Sequence, residues 1–331
     1  MHSFLRAALK SLTCLAVLGA LAPLTAVAQG GSWPERPITL VVPYTPGGQF
    51  DAHARLLAKS LTTQLNQSVV VENKPGAGTT LGAEYVARAK PDGYTLLMAG
   101  ATMFTIAPHT FPQLRYKIED FQTVSLLNQL PMALIVNPSA LPVKSFQEFV
   151  AYAKANPGKV DYATTGPGVA THLLGELTKA EVGIDIQPVH YKGTGPGMID
   201  LAAGRVPATF DGYLAYAPML KEGKLTALAI SSDKRLPGAP DIPSFAELGY
   251  PGLSMSSWAG IVVPKGTPLT IVDKLQKAIV AAVRSEEVSS RMIADATVPM
   301  TSTPAEFDAL IKRDDAVWGN LIRKIGGVKP E

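Results

Sequence analysis

Short apolar runs alternate with stretches of helical periodicity along most of this chain, and that alternation restricts its fold more than any other feature. Ile38-Thr39-Leu40-Val41-Val42 reads as a buried strand, and a helix follows over 51–65 with Ala54, Leu57, Leu61 and Leu65 on one face. Further strands are expected at 68–72, 94–98, 160–164, 187–191, 208–211, 225–231 and 258–263. Helices are expected at 145–156, 169–181, 198–203 and 268–284, and a last helix at 304–325 has Thr303 as its N-cap. Strands alternating with helices specify parallel α/β sheets covered on both faces. Two stretches, near 128–136 and near 252–260, look like crossings between domains. A lobe inserted at 136–255 would then face a lobe built from 29–135 and 256–331. Two lobes joined by two strands leave a cleft, a common place for a small ligand.

The N-terminus carries an export signal. His2, Arg6 and Lys10 form a positive start, 11–25 is uncharged and mostly Leu, Ala and Val, and Ala26-Val27-Ala28 supplies small residues for cleavage. Fifteen uncharged residues fall short of the ~20 that span a bilayer, and Pro23 interrupts them. Cleavage after Ala28 is expected, leaving 303 of the 331 residues, enough for two domains. Cys14, the only cysteine, lies in this leader. It follows Lys10 too early for a lipoprotein signal, so the mature fold does not depend on disulfides. The mature chain carries 28 basic and 27 acidic side chains, a net charge of +1. It lacks the clustered Lys/Arg face of a nucleic-acid binder and any later apolar span, so a soluble exported protein is expected.

Four loops stand at the carboxyl ends of expected strands, the edge where open α/β sheets bind ligands. The first runs from Pro43 to Asp51 and offers Tyr44, Thr45, Gly47, Gly48 and Asp51. Adjacent glycines let the backbone approach a ligand. The helix that follows presents unpaired N–H groups and a partial positive charge, an anion site without Arg or Lys. The alternative is a plain strand-to-helix turn with Asp51 capping the helix. The second loop, Thr164, Thr165, Gly166, Pro167, Gly168 and Val169, precedes a helix carrying Thr171 and His172 and repeats the design. The third spans 192–197 and includes Thr194; the fourth is Gly100-Ala101-Thr102. Facing one cleft, such loops would form a pincer on an acid, with carboxylates gripped by backbone amides from each lobe.

Enzyme signatures are missing. The chain has no G-x-S-x-G, no G-x-x-x-x-G-K-[ST] and no H-E-x-x-H. The mature histidines, His53, His109, His172 and His190, lack metal-site spacing, and neither metal nor cofactor is expected. His53 is expected on the helix surface, and His172 either donates to a ligand or caps its own helix. Asp211 with His172 is the single nucleophile–base pair to nominate for an enzyme, and no motif supports it.

Ordered motifs over nearly the whole mature chain resemble the periplasmic receptors of tripartite tricarboxylate transporters, the Bordetella uptake protein family. They are Trp33-Pro34, Val41-Val42-Pro43-Tyr44, Pro46-Gly47-Gly48 with Asp51 and Ala54-Arg55, and Val71-Glu72-Asn73-Lys74-Pro75-Gly76-Ala77-Gly78. Pro91-Asp92-Gly93-Tyr94-Thr95-Leu96-Leu97, His190-Tyr191-Lys192-Gly193, Asp200-Leu201 with Gly204, and Phe210-Asp211 continue the pattern. Pro240-Asp241-Ile242-Pro243 and Val263-Pro264-Lys265-Gly266-Thr267-Pro268 complete it. The resemblance implies a two-lobed periplasmic binding protein of type II, the Venus flytrap fold, located in the periplasm. It implies a cleft for di- and tricarboxylates such as citrate, acidic amino acids or aromatic acids. The loops at Tyr44–Gly48 and Thr164–Gly168 would grip carboxylates through amides, hydroxyls and ordered water, and Asp211 joins the candidate ligand set. The implied partner is a two-component membrane permease, with the receptor itself expected to be a monomer. A receptor reporting to a membrane sensor kinase is the alternative output.

The chain departs from the pattern in two places. Val169 stands where the second loop often ends in Ser, and Ala107-Pro108 replaces Asn-Pro. With Met103, Phe104, Tyr44 and Tyr213 nearby in sequence or loop position, a less polar far end of the cleft is one reading, favouring an aromatic or aliphatic mono- or dicarboxylate. Core packing of Met103 and Phe104 is the other.

Overall fold

A computed structural model describes residues 33–327 except Pro112. The expected leader and its cleavage site at Ala28 lie outside the described residues. The fold below is that of the unit beginning at Arg36.

Strand β1 (Ile38–Val42) leads into helix α1 (Gln49–Leu65). Ala54, Leu57, Ala58, Leu61 and Leu65 are all buried, the stripe that their spacing requires of an amphipathic helix. The helix starts two residues earlier than expected, with Gly48 as N-cap, and ends on Asn66 in the left-handed region (φ 50°). Next come β2 (Val69–Asn73), α2 (Thr80–Ala87) and β3 (Thr95–Gly100). A π-helix, Thr102–Ile106, then runs into α3 (Ala107–Thr110). Pro108 explains the wider turn. It has no N–H for the carbonyl that an α-helix would pair with it, and Ala107 N–H reaches back to Thr102 O instead. Side chains serve the nearby carbonyls: Thr105 on Ala101 (2.8 Å), Thr110 on Ile106 (3.2 Å) and Tyr116 on Met103 (2.8 Å).

The chain continues through β4 (Phe121–Leu130), β5 (Met132–Val136), α4 (Phe146–Ala155), β6 (Val160–Thr164) and α5 (Ala170–Val182). Then come β7 (Ile186–His190), α6 (Thr194–Ala202), β8 (Ala208–Gly212), α7 (Tyr213–Lys221) and β9 (Thr226–Ile230). It closes with β10 (Ser257–Pro264), α8 (Leu269–Arg284), α9 (Glu286–Ala294), β11 (Val298–Pro299) and α10 (Pro304–Lys324). Thr303 caps α10 as expected. Its hydroxyl accepts the Glu306 N–H (3.2 Å), and Glu306 accepts the Thr303 N–H in return (2.8 Å).

The strands sort into two sheets. One has the order β11-β4-β10-β3-β1-β2, the other β7-β6-β8-β5-β9. In the first, β1 is parallel to β2 and β3, whereas β10 runs antiparallel to β3 and β4. In the second, β6 is parallel to β7 and β8, and β5 is antiparallel to β8 and β9. The chain therefore forms a two-lobed mixed α/β fold. Alternate residues of β5 enter different cores: Met132, Leu134 and Val136 on one face of the sheet, Ala133 and Ile135 on the other.

The change of sheet falls at Pro131. Leu130 ends β4 opposite Ser257, and Met132 begins β5 opposite Gly212. The strand Met132–Val136 thus pairs within the second sheet. Ser231, just after β9, is tied to the start of β5: its hydroxyl accepts the Met132 N–H (2.7 Å), and its own N–H donates to Met132 O (2.8 Å).

His53 departs from the surface position expected of it. It is 1% exposed, its Nδ1 accepts from Asn128 Nδ2 (2.8 Å), and its Nε2 lies 3.1 Å from Asp295 Oδ2. Both partners are remote in sequence, so helical periodicity alone placed it wrongly. Met103 and Phe104 sit in the first lobe's core with Tyr116 and Phe121, so they do not furnish the far end of a cleft.

Candidate functional site

Parallel strands bring the expected loops together. β1 and β3 are neighbours, so the loop 43–48 and the segment beginning at Ala101 leave adjacent carboxyl ends. In the second lobe β6 stands between β7 and β8, so 165–169, 191–193 and Gly212 share one edge. The two lobes come into contact near these edges. Gln49 Oε1 lies 3.8 Å from where a Cβ on Gly212 would stand. Ile106 of the first lobe packs in one apolar cluster with Leu173 on α5 and with Trp318, Leu321 and Ile322 on α10.

In the first loop, Thr45, Gly47 and Gly48 are exposed, and Gly47 takes φ +83°. Tyr44 stacks on Phe50 with ring centroids 3.9 Å apart and leans on the lobe's core. Burial raises its phenol above the usual tyrosine range, with Tyr116 adding to the effect. Gly100 makes the stack possible: a Cβ there would meet the Tyr44 hydroxyl and come within 3.2 Å of the Phe50 ring. Asp51 is 3% exposed, and its carboxylate is already engaged. It accepts from Gly47 N–H (2.9 Å), from Arg55 through two bonds of 3.0 Å, and from Asn73 Nδ2 (2.8 Å). Burial opposes its ionisation, but the bonds from Arg55, Gly47 and Asn73 prevail and hold the carboxyl at about 2. Asp51 thus shapes the loop ahead of Gly48, the residue that caps α1. Ala101 is buried at the start of the π-helix, and Thr102, its first residue, is partly exposed.

The second loop is tied internally in the same manner. Gly166 and Gly168 take φ +143° and +71°. Thr165 N–H donates to Thr171 Oγ1 (2.9 Å), and the two hydroxyls are bonded at 2.9 Å. Thr164 Oγ1 accepts the Gly166 N–H (3.2 Å) and lies 2.7 Å from His190 Nδ1. Gly168 N–H donates to His172 Nδ1 (3.1 Å). Burial, then the neighbouring His190, holds His172 down at about 4, so it is neutral at pH 7. The amides of Gly47, Thr165, Gly166 and Gly168 are therefore turned into their own loops. The first-turn amides of α1, at Gly48, Gln49 and Phe50, and of α5, at Val169 and Ala170, have no intrahelical acceptor and no capping side chain.

Asp211 closes the edge of β8. It accepts from Gly212 N–H (2.7 Å), from Tyr216 (3.1 Å) and from the Thr194 hydroxyl at the start of α6. Burial raises its carboxyl above the usual range despite these donors. Asp211 and His172 have separate sets of partners, so the structure does not join them into a nucleophile–base pair. Among the described residues no cluster of His, Cys, Asp and Glu is arranged to hold a metal ion, and no helix is long and apolar enough to cross a membrane. Gln49, Arg55, Asn73, His190 and Tyr216 were not singled out as site residues from sequence. Arg55 had a signal, its i,i+4 spacing from Asp51; Gln49 had none.

The sequence profile described as "Tripartite tricarboxylate transporter family receptor" matches residues 53–327. The chain belongs to that family. Receptors of the tripartite tricarboxylate transporter family are periplasmic solute-binding proteins rather than enzymes. Protein BugT of Bordetella pertussis is 36% identical over 317 residues, 94% of this chain and 97% of BugT. The periplasmic binding protein BugD superposes with a TM-score of 0.78 at 36% identity, covering 90% of this chain and 100% of BugD. Rpa4515 of R. palustris, solved with adipate, gives a TM-score of 0.82 at 33% identity over 90% of this chain and all of its own. MatC of Rhodopseudomonas palustris, solved with malate, gives 0.76 at 32% identity over 87% and 99%. This receptor is thus a periplasmic solute-binding protein whose family neighbours hold small dicarboxylates.

Proposed function

We propose that this receptor binds a small dicarboxylate between its lobes and delivers it to a two-component membrane permease. The observation that carries the proposal is the pairing of two helix N-termini, α1 and α5, each behind a glycine loop at the carboxyl edge of its own sheet. Each end places first-turn N–H groups and a partial positive charge toward an anion. One carboxylate would meet Gly48, Gln49 and Phe50, with Thr45 and Thr102 beside them. The other would meet Val169 and Ala170, with the linked hydroxyls of Thr165 and Thr171 supplying one free donor. Tyr44, Gly47, Asp51 and Ala101 on one side, and Thr164, Gly166, Gly168, His172, Thr194 and Asp211 on the other, shape these surfaces. Adipate and malate in the two Rhodopseudomonas neighbours fit a ligand with a carboxylate for each lobe. The lobes we assign are 36–131 with 256–327, and 132–255.

Calorimetric titration of the exported protein with adipate, malate, citrate and benzoate tests this. Saturable one-to-one binding of a dicarboxylate, with no chemical change to it, is expected. No binding of any carboxylate, or turnover of the bound acid, would refute the proposal. Uptake of the bound acid in cells that keep the receptor but lack two-component permeases of this transporter class tests delivery: uptake should stop, and undiminished uptake would refute it.

A further inference from the structure

We propose that His172 is a positioning residue that fixes the ligand-facing shape of the 165–169 loop by accepting the Gly168 N–H on an unprotonated Nδ1, which makes that loop pH-sensitive. The inference rests on reading the first turn of α5 as a carboxylate site, but it concerns the loop and not the acid.

Gly166 and Gly168 both occupy positive φ. A loop of this kind needs contacts that hold it against its many alternatives. Thr165 N–H donates to Thr171 Oγ1 at 2.9 Å, and two further amides lead to histidines. Gly168 N–H meets His172 Nδ1 directly at 3.1 Å. Gly166 N–H meets Thr164 Oγ1, which lies 2.7 Å from His190 Nδ1. The two imidazoles pack edge to face, with centroids 4.9 Å apart at 88°. An N–H donor demands a lone pair, so Nδ1 of His172 must be bare and its proton must sit on Nε2.

The groups facing His172 come from three elements. From its own helix, Glu176 Oε1 lies 4.0 Å from Nε2, and Lys179 is paired with that carboxylate at 3.1 Å. From β6, the Tyr162 hydroxyl donates to Glu176 at 3.0 Å. From β7 comes His190. Burial, His190 and Lys179 disfavour the imidazolium and Glu176 favours it, with about 4 as the outcome. Protonation would set a second donor against the Gly168 N–H. The loop would then have to release that amide, moving Val169 and Ala170, whose first-turn amides are the donors of the proposed site. His172 therefore acts on a ligand through Gly168 and need not touch it.

Two variants separate acceptor from volume. His172→Asn keeps an oxygen where Nδ1 stands and removes the titration, whereas His172→Leu keeps bulk and removes the acceptor. In the ligand-free protein, the Gly168 amide resonance is expected to shift with the same midpoint as the His172 ring. At pH 7, Gly168 exchange protection is expected to fall about tenfold or more in His172→Leu and to persist in His172→Asn. Adipate and malate serve as binding probes at pH 7, where both are fully ionised: any affinity for them should weaken more in His172→Leu than in His172→Asn. Equal protection in the two variants, or a Gly168 resonance indifferent to the His172 titration, would overturn the inference. If acid unfolds the protein first, the comparison at pH 7 decides. Failure of both acids to bind counts against the proposed function, while the ligand-free measurements still judge His172.

Discussion

Asp51 accepts from Gly47, Arg55 and Asn73 at once and so joins β1, α1 and β2 at the mouth of the first loop. Replacing it with Ala leaves three donors without their acceptor, and a loss of about 2 kcal/mol is expected in urea unfolding. An unchanged midpoint would contradict that role. Its acid dependence has a definite sign. The ordinary carboxyl value is 3.8 and the folded value about 2, so its contribution is complete above 3.8 and disappears as pH falls toward 2. His172 acts over a higher range. Its folded value of about 4 lies below the ordinary 6.5, so between these pH values the unfolded chain binds more protons. The thermal midpoint should therefore fall as pH drops from 6.5 to 4.5, and less steeply in His172→Asn. Equal slopes in the two proteins would contradict this. At this scale the sequence was partly readable. Arg55 four residues after Asp51 announces a helical ion pair, whereas the partners of His53 stand 75 and 242 residues away and leave no local mark.

At the scale of elements, α1 and α5 matter for where they begin. Gly48 and Val169 have extended backbones and no capping side chain, which keeps the first-turn amides uncovered. Gly48→Leu tests this cleanly. Gly48 has φ −76°, and a Cβ would meet only Thr45 O at 3.6 Å, so the fold should be retained. Dicarboxylate affinity should nonetheless fall about tenfold or more, because the side chain covers hydrogen bonds to a charged group. Undiminished calorimetric affinity would remove Gly48 from the site. Gly100→Val should behave differently, since its side chain would displace the Tyr44–Phe50 stack. Overpacking of that kind costs about 1–3 kcal/mol, so stability and binding should fall together. Most strands and the long helices were legible from apolar spacing. The change of sheet between β4 and β5 falls at Pro131, within the stretch near 128–136 that looks like a crossing, but the two strands themselves were not legible, because 124–136 mixes apolar residues with Ser125, Asn128 and Gln129 and only Pro131 marks the break.

For the whole molecule, the proposed grip from both lobes would make binding and closure one event, because contacts from both lobes exist together only when the cleft is shut. A smaller radius of gyration in X-ray scattering is expected at saturating dicarboxylate, and an unchanged profile would argue against closure. The two-lobed plan followed from the alternation of strands and helices and from the family motifs. The inward turn of the loop amides at Gly47, Thr165 and Gly168 did not, since it depends on Asp51, Thr171 and His172 reaching back to their own loops. The most direct test of the shared grip is an amide NMR titration of the exported protein with adipate and with malate. A grip shared between the lobes should produce saturable shifts at Gly48–Phe50 and at Val169–Ala170 with a single dissociation constant. Saturable binding that leaves either helix start unmoved would contradict it.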